Sequence, residues 1–164
     1  MPPELPKLTL LQQRYIEARV LGPLIRAFQS EMGVERANEI ARQAIQQIAR
    51  ERGQELASQM GRCDLAAFAE VAQSWRGQGD LTIQVLHSDA RRHDFNVTRC
   101  RFAEMYREMG LGDIGHILSC GRDGALIEGF NPGIVLTRTQ TIMQDAPTCD
   151  FRYRVEDENP APSP

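Results

Sequence analysis

The spacing of apolar residues changes character at Asp80, and that switch restricts the folds open to the chain. Upstream, Leu11, Ile16, Val20, Leu24 and Phe28 recur at helical spacing, from a Thr9/Gln12 capping-box pattern to a stop at Gly33. A second amphipathic run places Ala37, Ile40, Ala41, Ala44, Ile45 and Ile48 on one face and extends past Gly53 toward Gly61. Asp64 is set to cap a third helix carrying Leu65, Phe68, Val71, Ala72 and Trp75. Downstream the period is two: Leu81, Ile83 and Val85 alternate with polar residues, as do Phe95 and Val97, across a turn in "SDARRH". "RFAEMYREMG" and "GDIGHILSC" return to helical spacing, and "GIVLTRTQTIM" and "CDFRYRVE" read as a last hairpin around "QDAPT". The expected fold is α+β: N-terminal helices packed on an antiparallel sheet of about four strands, with two short helices inserted between the strand pairs. Residues 1–155 are expected to form a single domain and the Pro-rich 156–164 a disordered tail.

Charge and cysteine usage narrow the function classes. Charged residues are 25% of the 164, with a formal net charge of −3, which gives no basic surface for nucleic acid. No apolar stretch approaches membrane-span length, and "MPPELPKLTLLQQ" lacks a signal-peptide pattern, so a cytoplasmic protein is expected. The apolar N-terminal helices allow either a homo-oligomer or cover within one chain. The four cysteines, at 63, 100, 120 and 149, have no CxxC spacing. In a reducing compartment they are expected as thiols, and each taken alone reads as a small core hydrophobe.

Their neighbours sharpen three of them. His116 lies four residues before Cys120 on the same helical run and could accept its proton, while Asp123, just past the helix end, could orient the histidine or protonate a leaving group. Cys100 stands at a strand-to-helix junction with Glu104 one turn later, and Cys149 shares a strand face with Phe151 and Tyr153. Cys100, Cys120 and Cys149 could thus converge, although ligand pairs for zinc usually lie closer in sequence, and no tightly held metal or other cofactor is expected. Cys63 has no such company and reads as structural. In "LTRTQTIM" alternation sets Thr137, Thr139 and Thr141 against Leu136, Arg138, Gln140 and Ile142. An arginine on a half-buried strand face needs an anion, either an internal carboxylate (Asp123 or Glu128) or that of a substrate.

Over nearly its whole length, these residues make the chain resemble the 2-amino-thiazoline-4-carboxylate hydrolase family. The resemblance rests on Cys100 with Glu104, the segment holding Cys120 and Asp123, "GFNP" from Gly129 to Pro132, "TRTQTIM" and "CDFRYR". It implies hydrolysis of a cyclic isothiourea to N-carbamoyl-cysteine, without cofactor. Cys120, Asp123, His116 and Glu104 are then the candidates for the chemistry, and Arg138, Cys100, Cys149 and Asn131 for holding a small-molecule substrate; which thiol attacks stays open. His116 is not one of the family-like residues. One departure from the family pattern is Asp145 and Ala146 in the last turn, where Asp is expected to tolerate a left-handed backbone. The chain is also similar to small-molecule-binding domains related to vinyl reductases, in which cysteines can hold structural zinc, and this leaves a non-catalytic binding module as the alternative.

Overall fold

The computed structural model describes residues 7–156, so the tail 156–164, expected to be disordered, lies outside them apart from Glu156, as do residues 1–6 of the expected domain. Three helices come first: α1 (Leu10–Met32), α2 (Val34–Met60) and α3 (Leu65–Ser74). The expected caps are in place, Thr9 and Gln12 forming a reciprocal box and the Asp64 carboxylate accepting from the Ala67 N–H at 2.7 Å. Strands β1 (Leu81–Ser88) and β2 (Arg92–Cys100) form a hairpin, followed by α4 (Arg101–Glu108). A π-helical turn, His116–Cys120, then runs into α5 (Arg122–Phe130), and β3 (Ile134–Thr137) and β4 (Cys149–Val155) close the chain. The four strands are antiparallel in the order β1-β2-β4-β3. This is the α+β architecture expected.

Two local expectations need correction, and one element goes beyond them. The run "RDGALIEGF", which carries two glycines and whose spacing predicts no element, is helix α5. The strand through "LTRTQTIM" stops at Thr137, because the Asp150 carboxylate captures the N–H groups of Thr139 and Gln140 (3.0 and 2.8 Å), so that Thr139 and Thr141 never join the ladder. On α1, Ile16, Val20, Leu24 and Phe28 are exposed, and the inward face is Ala18, Gly22 and Ile25. Small residues win that face because they let neighbouring chain approach: a Cβ on Gly22 would stand 2.8 Å from the Leu111 side chain. The turn at Asp145 is left-handed, φ +67°, as its residue type allows.

Packing divides into two layers of core that meet at one boundary. Phe68 of α3 packs on Tyr153 (ring centroids 4.9 Å apart), tying helix to sheet, and Phe95 of β2 stacks on Phe151 of β4 (4.7 Å). Tyr106, Ile114, Ile117 and Leu118 instead pack with α1 and α2. Leu81, Cys100 and Ile142 touch both groups and mark the seam. At the other end of α5, Gly53 and Gly129 let α2 and α5 cross backbone to backbone. A Cβ on Gly129 would sit 2.0 Å from the Arg50 carbonyl oxygen, where no side chain can yield. Gly129→Ala is therefore expected to cost about 3 kcal/mol in urea unfolding, whereas Gly124→Ala, with open space around it, should be neutral or stabilising by up to about 1 kcal/mol.

Candidate functional site

The seam opens into a cavity of about 480 Å3 bounded by α1, α2, the end of α3, the sheet and α5. Its inner wall is assembled from chain ends. Cys100 ends β2 and caps α4, its Sγ accepting from the Ala103 N–H at 3.4 Å; Cys149 begins β4 and its Sγ accepts from the Ile142 N–H at 3.2 Å. Cys120 ends the π-turn and Asp123 lies in the first turn of α5. A π-turn is uncommon and often marks a functional segment. Here it advances the chain so that Cys120 and Asp123 face the same space as Arg138, just beyond β3.

Arg138 has both ends of its fork committed. Nη1 donates to Asp123 Oδ2, Nη2 donates to the Cys120 carbonyl at 2.8 Å, and the guanidinium lies 4.9 Å from the Phe151 ring centroid. Of the anions open to it, the internal Asp123 is the one it meets, while Glu128 pairs with Arg50 at 2.8 Å on the exposed side of α5. Burial pushes the Asp123 carboxyl above its ordinary value, and Arg138 only partly opposes this. Beneath them the fully buried Tyr153 hydroxyl has no hydrogen-bond partner among the described residues and interacts electrostatically with both.

All three inner thiols are held in their neutral form. Burial pushes Cys100 up to about 11, despite its place at a helix N-terminus, and raises Cys149. Cys120 is raised further, by burial first and then by the adjacent Asp123. Desolvation thus outweighs the helix dipole expected to favour a thiolate at Cys100.

Not every candidate reaches the cavity. His116 lies outside its lining, half-buried beside Arg42 and Asp113, and burial lowers its pKa so that it is neutral. Glu104 faces solvent and binds Arg99 through both oxygens (2.9 and 3.1 Å), apart from Cys100. Asn131 ends α5, its side chain donating to the Cys63 carbonyl and accepting from the Gly133 N–H, both at 2.8 Å. Cys63 itself is exposed. Cys100, Cys120, Cys149, Asp123 and Arg138 do share the cavity, but among the described residues no group of three or more His, Cys, Asp or Glu is arranged to hold a metal ion. Sequence reasoning missed Arg14, Glu17 and Arg122, which join α1 to the start of α5: Arg122 donates to Glu17 at 2.7 Å and to the Leu118 carbonyl at 2.6 Å. The one available signal was Arg122 itself, an arginine between Cys120 and Asp123.

The family model for L-2-amino-thiazoline-4-carboxylic acid hydrolase matches residues 13–153. The chain belongs to this family. The match takes in every cavity residue described above, from Arg14 to Phe151. No curated protein matches the chain at a significant level. Two solved structures share the fold of this hydrolase-family chain. The phenol-responsive sensory domain of the transcription activator PoxR, with phenol, is 15% identical (TM-score 0.54; 82% of this chain and 72% of that one). A trafficking protein particle complex subunit 3 from Naegleria fowleri, covalently bound to palmitic acid, is 10% identical (TM-score 0.53; 88% and 96%). Among the described residues no helix is long and apolar enough to cross a membrane.

Proposed function

We propose that the cavity binds a cyclic isothiourea bearing a carboxylate, such as 2-amino-thiazoline-4-carboxylate, and opens it to N-carbamoyl-cysteine. One observation carries this reading: a hydrolase-family chain brings into one cavity a thiol and a carboxyl whose pKa values both stand above their ordinary ones, with the carboxyl held against Arg138. The Asp123 carboxylate disfavours the thiolate of Cys120 beside it, so the thiol ionises only when a further cation stands next to the pair. A protonated amidine supplies it. With that cation beside them, the Asp123 carboxylate takes the Cys120 proton and the thiolate adds to the ring carbon between sulfur and nitrogen. The carbon–sulfur bond of the ring then breaks, and the departing sulfur recovers the proton from Asp123. Water adds to the same carbon, giving up a proton through Asp123, and Cys120 leaves as the thiol. The sum is one protonated substrate plus one water to one N-carbamoyl-cysteine, with the amidinium proton passed through Asp123 to solvent. Arg138 keeps Asp123 in place throughout, and Cys100 and Cys149 shape the wall beside the ring.

The assay is direct: purified protein with 2-amino-thiazoline-4-carboxylate should release one free thiol and one ureido group per substrate consumed. A binding module is the second reading, favoured by two neighbours of the same fold that hold phenol and palmitic acid. That reading predicts saturable binding of the thiazoline with no thiol released.

A further inference from the structure

We propose that the anionic group of the substrate is held by Arg14 and Arg122, two guanidiniums that share the single carboxylate of Glu17, and not by Arg138. The identity of the anion as a ring carboxylate rests on the hydrolase reading; the anion site itself rests on the charge arrangement.

Four arginines line the cavity, and they are not equally satisfied. Arg138 is matched one to one with Asp123 and its second nitrogen is spent on the Cys120 carbonyl. Arg52 is matched one to one with Glu55 at the exposed rim. Arg14 and Arg122 both converge on Glu17, so this group carries one positive charge more than it cancels. Both side chains are largely shielded, 16% and 10% exposed, so water does little to screen the excess. Burial together with repulsion from Arg14 lowers the Arg122 pKa, the direction expected of a cation short of counter-charge.

Free donors are available in the geometry a carboxylate needs. Arg14 uses Nη1 for both Glu17 oxygens (3.0 and 3.1 Å), leaving Nε and Nη2 without partners among the described residues. Arg122 uses Nε and Nη2, leaving Nη1. A planar fork with uncommitted N–H groups is the group that grips a carboxylate through two parallel bonds. The site is also close to the chemistry, because the Tyr106 side chain interacts electrostatically with Arg14, Arg122, Glu17 and Cys120 alike. An anion on the two arginines would therefore leave the rest of a small ring against Cys120 and Asp123.

The test compares calorimetric binding of 2-amino-thiazoline-4-carboxylate and its uncharged 4-carboxamide. Wild type should prefer the carboxylate by about 10- to 100-fold, the range of a charge-assisted bidentate contact. Arg14→Gln should bring the two ligands to within about threefold, while Arg138→Gln keeps the preference. Glu17→Gln separates this from simple damage to the fold: it removes the competing anion and should tighten carboxylate binding, whereas disruption would weaken both ligands. The proposal is overturned if wild type does not discriminate, if Arg138→Gln is the variant that erases discrimination, or if Glu17→Gln loosens the carboxylate. Binding discrimination without thiol release would instead leave the anion site standing and remove the hydrolase reading.

Discussion

Asp123→Asn is expected to lower kcat/KM for the thiazoline by about 10³-fold, the loss typical of removing a positioned acid/base group. The substitution keeps an oxygen to accept from Arg138, so the pair's geometry survives while the proton carrier is gone. The pH profile gives a second readout. Asp123 must be ionised to take the Cys120 proton, and burial raises its pKa, so the acid limb of the wild-type profile should lie above the ordinary aspartate value of about 4. In Asp123→Asn that limb should vanish from the residual activity. Stability moves the other way. A carboxyl whose folded pKa is raised contributes stability below its unfolded pKa, and loses it as pH rises through the folded value. Urea unfolding should therefore show a wild-type stability that declines over that interval and a flatter dependence in Asp123→Asn. A profile whose acid limb is the same in both proteins would place the essential proton elsewhere.

The change of period at Asp80 made the fold class legible because burial enforces it: one-sided helices and two-sided strands must present their apolar residues at different spacings. The order β1-β2-β4-β3 was not legible, since strand pairing joins residues that no local pattern connects, as in Phe95 opposite Phe151. Helix α5 was missed for a physical reason. Gly124 and Gly129 lower helix propensity and read locally as loop, yet Gly129 is there because α2 crosses within backbone contact. The α1 face was misread for a related one: large apolar residues suggest the core side, whereas close packing selected Ala18, Gly22 and Ile25.

At the candidate site, local spacing gave the thiols their neighbours only in part. Cys120 and Asp123 are close in sequence and remain close in space, and Arg138 meets Asp123 because β3 returns the chain beside α5. The pairings of His116 with Cys120 and of Glu104 with Cys100 assumed that one helix face decides contact. Instead His116 is drawn toward α2 and Glu104 toward Arg99, partners that helical spacing does not reveal. Arg14 and Glu17 were invisible because their role depends on Arg122, 105 positions beyond Glu17.

Cys120→Ser should abolish turnover per folded molecule, by on the order of 10³-fold or more, while the protein keeps its fold. The raised pKa of Cys120 bears on how that result must be read. In the empty protein iodoacetamide should label the exposed Cys63 first and Cys120 slowly, because the thiolate is scarce until a cation enters. Slow labelling is thus compatible with a nucleophile activated by its own substrate. The decisive species is covalent. Ring opening by the Cys120 thiolate retains every atom of the substrate, so acid quenching during turnover should yield protein heavier by one whole thiazoline, attached at Cys120 and absent from Cys120→Ser. Direct attack by water, with Asp123 as its base, predicts no adduct and near wild-type activity in Cys120→Ser. In that outcome the thiol is part of the cavity wall, its exchange for a hydroxyl costs about 1–3 kcal/mol of stability, and Asp123 carries the chemistry without it.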